Sequence, residues 1–258
     1  MAKHVRPKKF LGQHFLKDEG VAKSTADLAD RDKVDTWLEI GPGMGVLTKY
    51  LIEKPIALKA IELDRDSVAF LVKEMPTLTV IEADFLKTDI TELFEGEFGV
   101  IGNFPYNISS QILFKILENK TIVPAFAGMF QLEVAKRIAA GPNNKTYGIL
   151  SVLVQAFYTV TLEFEIPPTV FIPQPKVQSA VIYGKRLEQN IDWNVPMFFD
   201  VVKTAFQQRR KTLSNALKKF KVPRDLTLNN QLFKLRAENL SVQDFIMLTG
   251  WIEKNRGV

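Results

Sequence analysis

Asn103-Phe104-Pro105-Tyr106 brings together an amide, a ring-locked carbonyl and an aromatic face, with no acid or base among them. That set suits a flat neutral base carrying an exocyclic amine. Asn103 and the carbonyl of Pro105 can accept from an N–H2 group, and Tyr106 can stack on the ring. The tetrapeptide follows Val100-Ile101-Gly102, which reads as the end of a buried strand, and precedes Ile108-Ser109-Ser110, where a helix can start. In open α/β sheets, ligands bind outside the carboxyl ends of strands. Taken alone, the same residues also read as a turn, with Tyr106 in the core.

Three earlier strand ends carry ligand-type residues. Thr36 to Ile40 reads as a buried strand, followed by Gly41-Pro42-Gly43-Met44-Gly45 and a helix expected over Val46 to Ile52. Glycines in a strand-to-helix turn let the backbone approach a ligand. A dinucleotide fingerprint needs a further Gly at position 46. That position is Val, and the loop fits the G-x-G-x-G pattern of S-adenosylmethionine (SAM) enzymes instead. A second strand, Ala57 to Leu63, presents Glu62 roughly 20 residues after Gly41, where an acid pairs with ribose hydroxyls. The third, Thr77 to Glu82, leads into Ala83-Asp84-Phe85. Asp84 can accept from an adenine amino group with Phe85 beside the ring, or can simply cap a turn. The fourth, Phe98 to Gly102, delivers Asn103.

Alternating strands and helices with ligand-type residues at successive carboxyl edges predict an α/β, Rossmann-like, doubly wound and mostly parallel sheet with one cofactor site. Asp18 is placed to cap a helix running to about Leu28. Further helices are expected over Ile108 to Leu117, Glu133 to Ala140 and Gly148 to Tyr158. A fifth strand is expected over Pro124 to Gln131 and a sixth over Ser179 to Tyr183. Val170 to Val177 is aromatic and proline-rich, a shaped segment with few backbone hydrogen bonds. The character changes at Lys185 to Asn190, and from Met197 the chain reads as helices, with a break near Arg209 and Arg210. The expected domains are therefore 1–187, for SAM binding and catalysis, and 188–258, a small all-α domain.

The chain has 258 residues, is 46% hydrophobic and 24% charged, and contains no Cys and only two His. That composition excludes disulfides, iron–sulfur clusters and Cys-ligated zinc, including the zinc base deaminases. A multi-His metal site or a Ser-His-Asp triad is not expected from His4 and His14 alone. No apolar run approaches the ~20 residues that span a bilayer, and no signal-type segment follows the basic start; a cytoplasmic, monomeric protein is expected. The net charge of +5 is concentrated in acid-free segments. Lys3, Arg6, Lys8, Lys9 and Lys17 lie in one; Lys203, Arg209, Arg210, Lys211, Lys218, Lys219 and Lys221 lie in the other. Two such segments suggest a polyanion surface, most simply nucleic acid.

The motifs closely resemble the ribosomal RNA adenine dimethyltransferases of KsgA type, from about Lys9 to the C-terminus. They are Leu11-Gly-Gln-His-Phe-Leu16, Glu39-Ile-Gly-Pro-Gly-Met-Gly45, Asn103-Phe-Pro-Tyr106, Gln131-Leu-Glu-Val-Ala-Lys-Arg137, Tyr147-Gly-Ile-Leu-Ser-Val152, Phe171-Ile-Pro-Gln-Pro-Lys-Val-Gln-Ser179 and Phe206-Gln-Gln-Arg-Arg-Lys-Thr-Leu213. The resemblance implies SAM contacts at His14, Leu16, Gly41, Glu62, Asp84 and Asn103, beside Gly43 and Phe85 from the loop readings above. It implies that Phe171, with the Asn103–Tyr106 motif, holds a target adenine. It also implies dimethylation of two adjacent adenosines of 16S rRNA in a precursor of the small ribosomal subunit, without a metal. Lys8, Lys9, Arg209, Arg210, Lys211, Lys218 and Lys219 are the expected RNA contacts. The chain departs from the family pattern at His14, more often Asn, and at Phe104, often Leu. Rival readings are a large-subunit rRNA dimethyltransferase, a DNA adenine methyltransferase and a non-catalytic RNA-binding assembly factor; the intact Asn103–Tyr106 motif argues against the last.

Overall fold

The computed structural model describes residues 5–256; Lys3 and His4 lie outside them. The chain clusters into two compact units, one running to Ala135 and including Thr159–Arg186, the other comprising Lys136–Tyr158 and the chain from Leu187 onward.

In the first unit the strands are β1 (Phe15–Leu16), β2 (Thr36–Ile40), β3 (Ala57–Glu62), β4 (Thr79–Glu82), β5 (Gly99–Gly102), β6 (Ala125–Gln131), β7 (Tyr158–Ile166), β8 (Phe171–Ile172) and β9 (Ser179–Arg186). Seven of them form one sheet in the order β4-β3-β2-β5-β6-β9-β7. The pairings β4–β3, β3–β2, β2–β5 and β5–β6 are parallel, and β9 is antiparallel to β6. Strands covered on both faces read as continuous apolar runs, and Ala125-Phe-Ala-Gly-Met-Phe130 is buried throughout. From β2 the chain builds outward through β3 and β4, then returns to β2's other side as β5. The strand order therefore reverses between β2 and β5, which sets the carboxyl ends bearing Gly41 and Asn103 side by side. Such a switch point opens a crevice for a ligand.

Helices α1 (Glu19–Ala26), α2 (Thr48–Leu51), α3 (Arg65–Glu74) and α4 (Ser109–Glu118) belong to this unit, and α5 (Leu132–Ala139) begins in it. Asp18 caps α1 by accepting from the Val21 N–H at 2.9 Å, and Asp64 caps α3 by accepting from the Asp66 N–H at 3.1 Å. The helix expected over Val46 to Ile52 shortens to α2. Gly41, Gly43 and Gly45 all take left-handed φ, at 66°, 58° and 78°, which keeps the chain turning until Thr48. Phe104, the departure from Leu, is fully buried in edge contact with Phe130. The bare backbone of Gly128 accommodates its ring, since a Cβ there would come within 2.2 Å of Phe104.

Two β features lie outside the expected strands. β7 begins at Tyr158, where the helix expected over Gly148 to Tyr158 stops, and its alternating Tyr-Thr-Val-Thr-Leu-Glu-Phe-Glu-Ile is not among the expected strands. β1 and β8 pair antiparallel, Leu16 opposite Phe171 and Phe15 opposite Ile172, so part of the proline-rich segment is a strand.

The second unit gathers α6 (Ile149–Gln155), α7 (Val195–Gln207), α8 (Leu213–Ala216), α9 (Arg224–Asn229) and α10 (Val242–Asn255). It thus takes in residues 136–158, whereas the division expected at 187 places them with the sheet. The physical reason is α6: five consecutive residues, Leu150 to Val154, are buried, and a helix apolar all round needs helices to enclose it, here α7 and α10. Asn194 caps α7 by accepting from the Met197 N–H at 3.0 Å. The helix ends at Gln207, just before the expected break at Arg209 and Arg210.

Candidate cofactor and base-binding site

A cavity of about 200 Å³ lies at the carboxyl edge of β2 to β5. Gly41 and Gly43 reach it from β2, Glu62 from β3, Asp84 and Phe85 from beyond β4, and Asn103, Pro105 and Tyr106 from beyond β5. Residues 10–15 supply the remaining wall, including His14.

Each of these groups is held by a short-range device. Gly41 anchors its turn through an N–H to the Ile61 carbonyl at 3.0 Å. Gly43 sits so close to Phe15 that a Cβ would come within 2.8 Å of that ring, and its N–H donates to Glu62 Oε2 at 3.1 Å. Glu62 Oε1 accepts from the Asp64 N–H at 2.8 Å. Burial pushes the Glu62 carboxyl above its ordinary range, while these backbone donors pull the other way. Asp84 Oδ1 accepts from the Leu86 N–H at 3.0 Å, and the half-exposed carboxylate still faces the cavity. Lys115 braces this loop by donating to the Leu86 carbonyl at 2.9 Å and to the Thr88 carbonyl at 2.5 Å, with its ammonium 5.3 Å from the centre of the buried Phe85 ring.

Asn103 Nδ2 donates to the His14 carbonyl at 2.9 Å. A carbonyl can only accept, so the amide orientation is fixed and Oδ1 is left to accept from a ligand. His14 Nδ1 lies 2.7 Å from the Pro173 carbonyl; by the same logic Nδ1 carries the proton. The His14 ring stacks on Tyr106 with centroids 5.5 Å apart. The Tyr106 hydroxyl is tied to Ser179 Oγ, and burial pushes its pKa up. The Pro105 carbonyl accepts from the Ile108 N–H at 3.1 Å and keeps a second lone pair.

Several expected residues fall elsewhere. Phe171 is fully buried in the core and does not line the cavity; its pairing across from Leu16 turns it inward, so Tyr106 and Phe171 do not form an open sandwich here. Leu16 is also core, and it borders a second cavity of about 30 Å³ shared with Glu39, Gly41 and Asn103. Lys8 is no free cation: its ammonium bonds Asp64 and, at 2.7 Å, Asp66. Burial would raise the Asp64 carboxyl, but hydrogen bonds from Lys8 and Gln13 hold it below the ordinary range. Arg209 pairs with Glu238 at 2.7 Å and donates to the Lys145 carbonyl at 2.6 Å, so it staples its own unit. Lys9 and Arg210 are exposed. Lys211, Lys218 and Lys219 border a groove of about 490 Å³ in the second unit, with Lys219 2.5 Å from Asp200.

Sequence reading missed two groups. Gln13 Nε2 donates to Asp64 Oδ2 at 3.1 Å and its Oε1 accepts from the Lys8 N–H at 2.7 Å, tying residues 8–13 beside Glu62. Glu39 is buried with Oε2 unpartnered among the described residues, and burial pushes its carboxyl up to about 8. Gln13 and Glu39 both stand inside quoted motifs, but only the fold shows what they touch.

This donor set fits SAM. Glu62 and Asp84 offer carboxylate acceptors for hydroxyl and amino groups, and Ile61, Leu63 and Phe85 wall the space between them. A side chain at Gly41 would stand in the cavity, its Cβ 3.9 Å from the nearest atom, Pro105 Cδ. Backbone at this position therefore approaches whatever the cavity holds.

Comparison with known proteins agrees. The family model described as "Ribosomal RNA adenine dimethylase" matches residues 5–254. A protein of Flavobacterium johnsoniae named ribosomal RNA small subunit methyltransferase A is 52% identical over 256 residues, covering 96% of this chain and 97% of that one. A protein of Bacteroides thetaiotaomicron with the same name is 52% identical, covering 98% and 96% respectively. Among solved structures, a dimethyladenosine transferase from Plasmodium falciparum superposes with a TM-score of 0.79 at 25% identity, covering 94% of this chain and 98% of that one. The 23S rRNA methyltransferase ErmE shares the fold, with a TM-score of 0.71 at 22% identity over 93% of this chain and 99% of its own. Family model, near-complete relatives and site geometry converge, and the chain belongs to the ribosomal RNA adenine dimethylase family.

Proposed function

We propose that this protein transfers methyl groups from SAM to the exocyclic N6 of two adjacent adenosines near the 3′ end of 16S rRNA, acting as a monomer on a small-subunit precursor in the cytoplasm. The observation that carries the reading is the Asn103 amide, whose Nδ2 is spent on the His14 carbonyl at the cavity wall.

When bound, SAM supplies a sulfonium-activated methyl group, an electrophile strong enough to require no metal. The protein must make the nucleophile ready, because the adenine amine lone pair is conjugated into its ring. Asn103 Oδ1 and the free lone pair of the Pro105 carbonyl accept the two amine hydrogens and favour a pyramidal nitrogen. Tyr106, backed on one face by His14 and fixed by Ser179, offers its ring to the base. This is catalysis by positioning and by dipoles already in place. The methylated nitrogen is cationic and far more acidic than the amine, so its proton passes to water without a dedicated base. For the second transfer the monomethylated amine must rotate and be held again, its one remaining N–H donating to one of these two acceptors. Gly41, Gly43, Glu62, Asp84 and Phe85 hold the donor. Lys211, Lys218, Lys219 and Arg210 contribute to the RNA surface. Unstacking the target adenine costs a few kcal/mol, which backbone contacts must offset.

The test is radiolabelled methyl transfer to small ribosomal subunits that lack adenine dimethylation, with naked RNA, large subunits and DNA alongside. Dimethyladenosine on small subunits alone is the expected result. Label on large-subunit RNA or DNA moves the substrate, and binding of SAM without transfer to any of them removes the enzymatic reading.

A further inference from the structure

One aromatic ring at the cavity has no part in the chemistry above. Phe10 lines the cavity yet is 79% exposed, more than any other large apolar side chain among the described residues. Its exposure is not that of a frayed end. The short turn Lys9–Leu11 that carries it is fastened on both sides. Before it, Lys8 bonds Asp64 and Asp66. After it, Gln13 donates to Asp64 at 3.1 Å and accepts from the Lys8 backbone N–H at 2.7 Å. Gly12, in the left-handed region at φ 68°, lies so close to Asn107 that a Cβ would come within 2.3 Å of its Oδ1. A ring is thus held out into water by a tied segment, at the mouth of the cavity whose inner wall already has Phe85, 5% exposed. Arg6 and Lys9 are exposed nearby in sequence. An exposed ring with adjacent cations is the pattern by which proteins hold unpaired nucleic-acid strands, the bases stacking while the cations track the phosphates.

We propose that Phe10 is a stacking platform for a nucleobase of the RNA strand beside the adenine that enters the cavity, with Arg6 and Lys9 on the flanking phosphates. The proposal rests on the reading that the cavity takes an adenine of RNA. A target base leaves its neighbour without a stacking partner, and Phe10 replaces that partner at the point of exit.

The test uses the full chain with Phe10→Ala, Phe10→Trp and Lys9→Ala. Binding to undermethylated small subunits is measured by filter retention across salt concentrations, and SAM binding is measured separately, with methyl transfer by the unaltered protein run in parallel. Phe10→Ala is expected to raise the Kd for subunits about tenfold, with SAM affinity, melting temperature and salt slope unchanged, and Phe10→Trp to restore it. Lys9→Ala is expected to flatten the slope instead. Unaltered subunit affinity in Phe10→Ala overturns the proposal. So does weakened SAM binding with unaltered subunit affinity, which assigns the ring to closure over the cofactor. Absence of methyl transfer by the unaltered protein counts against the reaction rather than the platform, because binding is read independently of turnover.

Discussion

The Asn103 side-chain amide donates to the His14 backbone carbonyl at 2.9 Å, linking the loop after β5 to the N-terminal segment 89 residues earlier in the chain. One bond therefore does two things. It turns Oδ1 toward use as an acceptor, and it holds the wall formed by residues 10–15 against the base site. Asn103→Ala is expected to lower kcat by at least about tenfold, with a smaller loss of SAM affinity. Asn103→Asp should do worse on SAM affinity, because a carboxylate oxygen then faces the His14 carbonyl oxygen. Separate measurement of kcat and SAM Kd for both variants checks this; near-normal turnover in Asn103→Ala would sink the assigned role.

Phe104 and Gly128 form a matched pair. The ring fills the space a Cβ at Gly128 would need, at 2.2 Å from Phe104 Cε2, and both residues sit in the interior. Gly128→Ala is expected to destabilise the fold by about 1–3 kcal/mol, the usual cost of overpacking a core. Combining it with Phe104→Leu should recover much of that loss, because the shorter side chain vacates the clash. Urea unfolding of the two single variants and the double variant gives the coupling energy. A coupling near zero means the pair is independent and the account of the Phe104 departure is wrong.

The sheet and its edge were readable because each parallel strand announces itself as an apolar run and then stops at a residue a ligand can use. Ile40–Gly41, Glu62 and Gly102–Asn103 needed only local pattern. What was not readable depends on contacts between distant segments. Phe171 is an aromatic in a promising motif, and nothing local reveals that its pairing opposite Leu16 buries it. Lys8 and Arg209 look like members of basic runs, but their acids, Asp64 and Glu238, lie 56 and 29 residues away. The assignment of residues 136–158 to the helical unit likewise comes from what encloses α6, not from composition around it.

Arg209 and Lys211 are two residues apart yet should behave differently. Arg209 is committed to Glu238 and the Lys145 carbonyl. Its pair is partly exposed, so Arg209→Met is expected to cost only about 1 kcal/mol of stability. Its effect on the salt dependence of RNA binding should be small. Lys211 is exposed at the groove it shares with Lys218 and Lys219. Lys211→Met should leave stability unchanged and reduce the slope of log K against log salt by about 0.7–0.9. Melting curves and salt titrations of RNA binding on both variants distinguish the roles; a slope change in Arg209→Met equal to that in Lys211→Met would return Arg209 to the RNA face.

Glu39 gives a pH dependence of stability with a definite sign. Its carboxyl is fully buried and pushed from 4.5 up to about 8, chiefly by loss of solvation, with the nearby Glu62 adding to the rise. Between those two pH values the folded chain keeps a proton there that the unfolded chain has released. Raising the pH through this window therefore favours unfolding. Glu39→Gln removes the titration and keeps the shape. Its stability relative to the unaltered protein is expected to grow by up to about 1.4 kcal/mol per pH unit across the window, then level off above it. Urea unfolding of both proteins at intervals from pH 5 to about 9 measures that difference, and a difference that stays constant with pH means Glu39 ionises normally in the folded chain, through water reaching it from the small cavity it shares with Gly41 and Asn103.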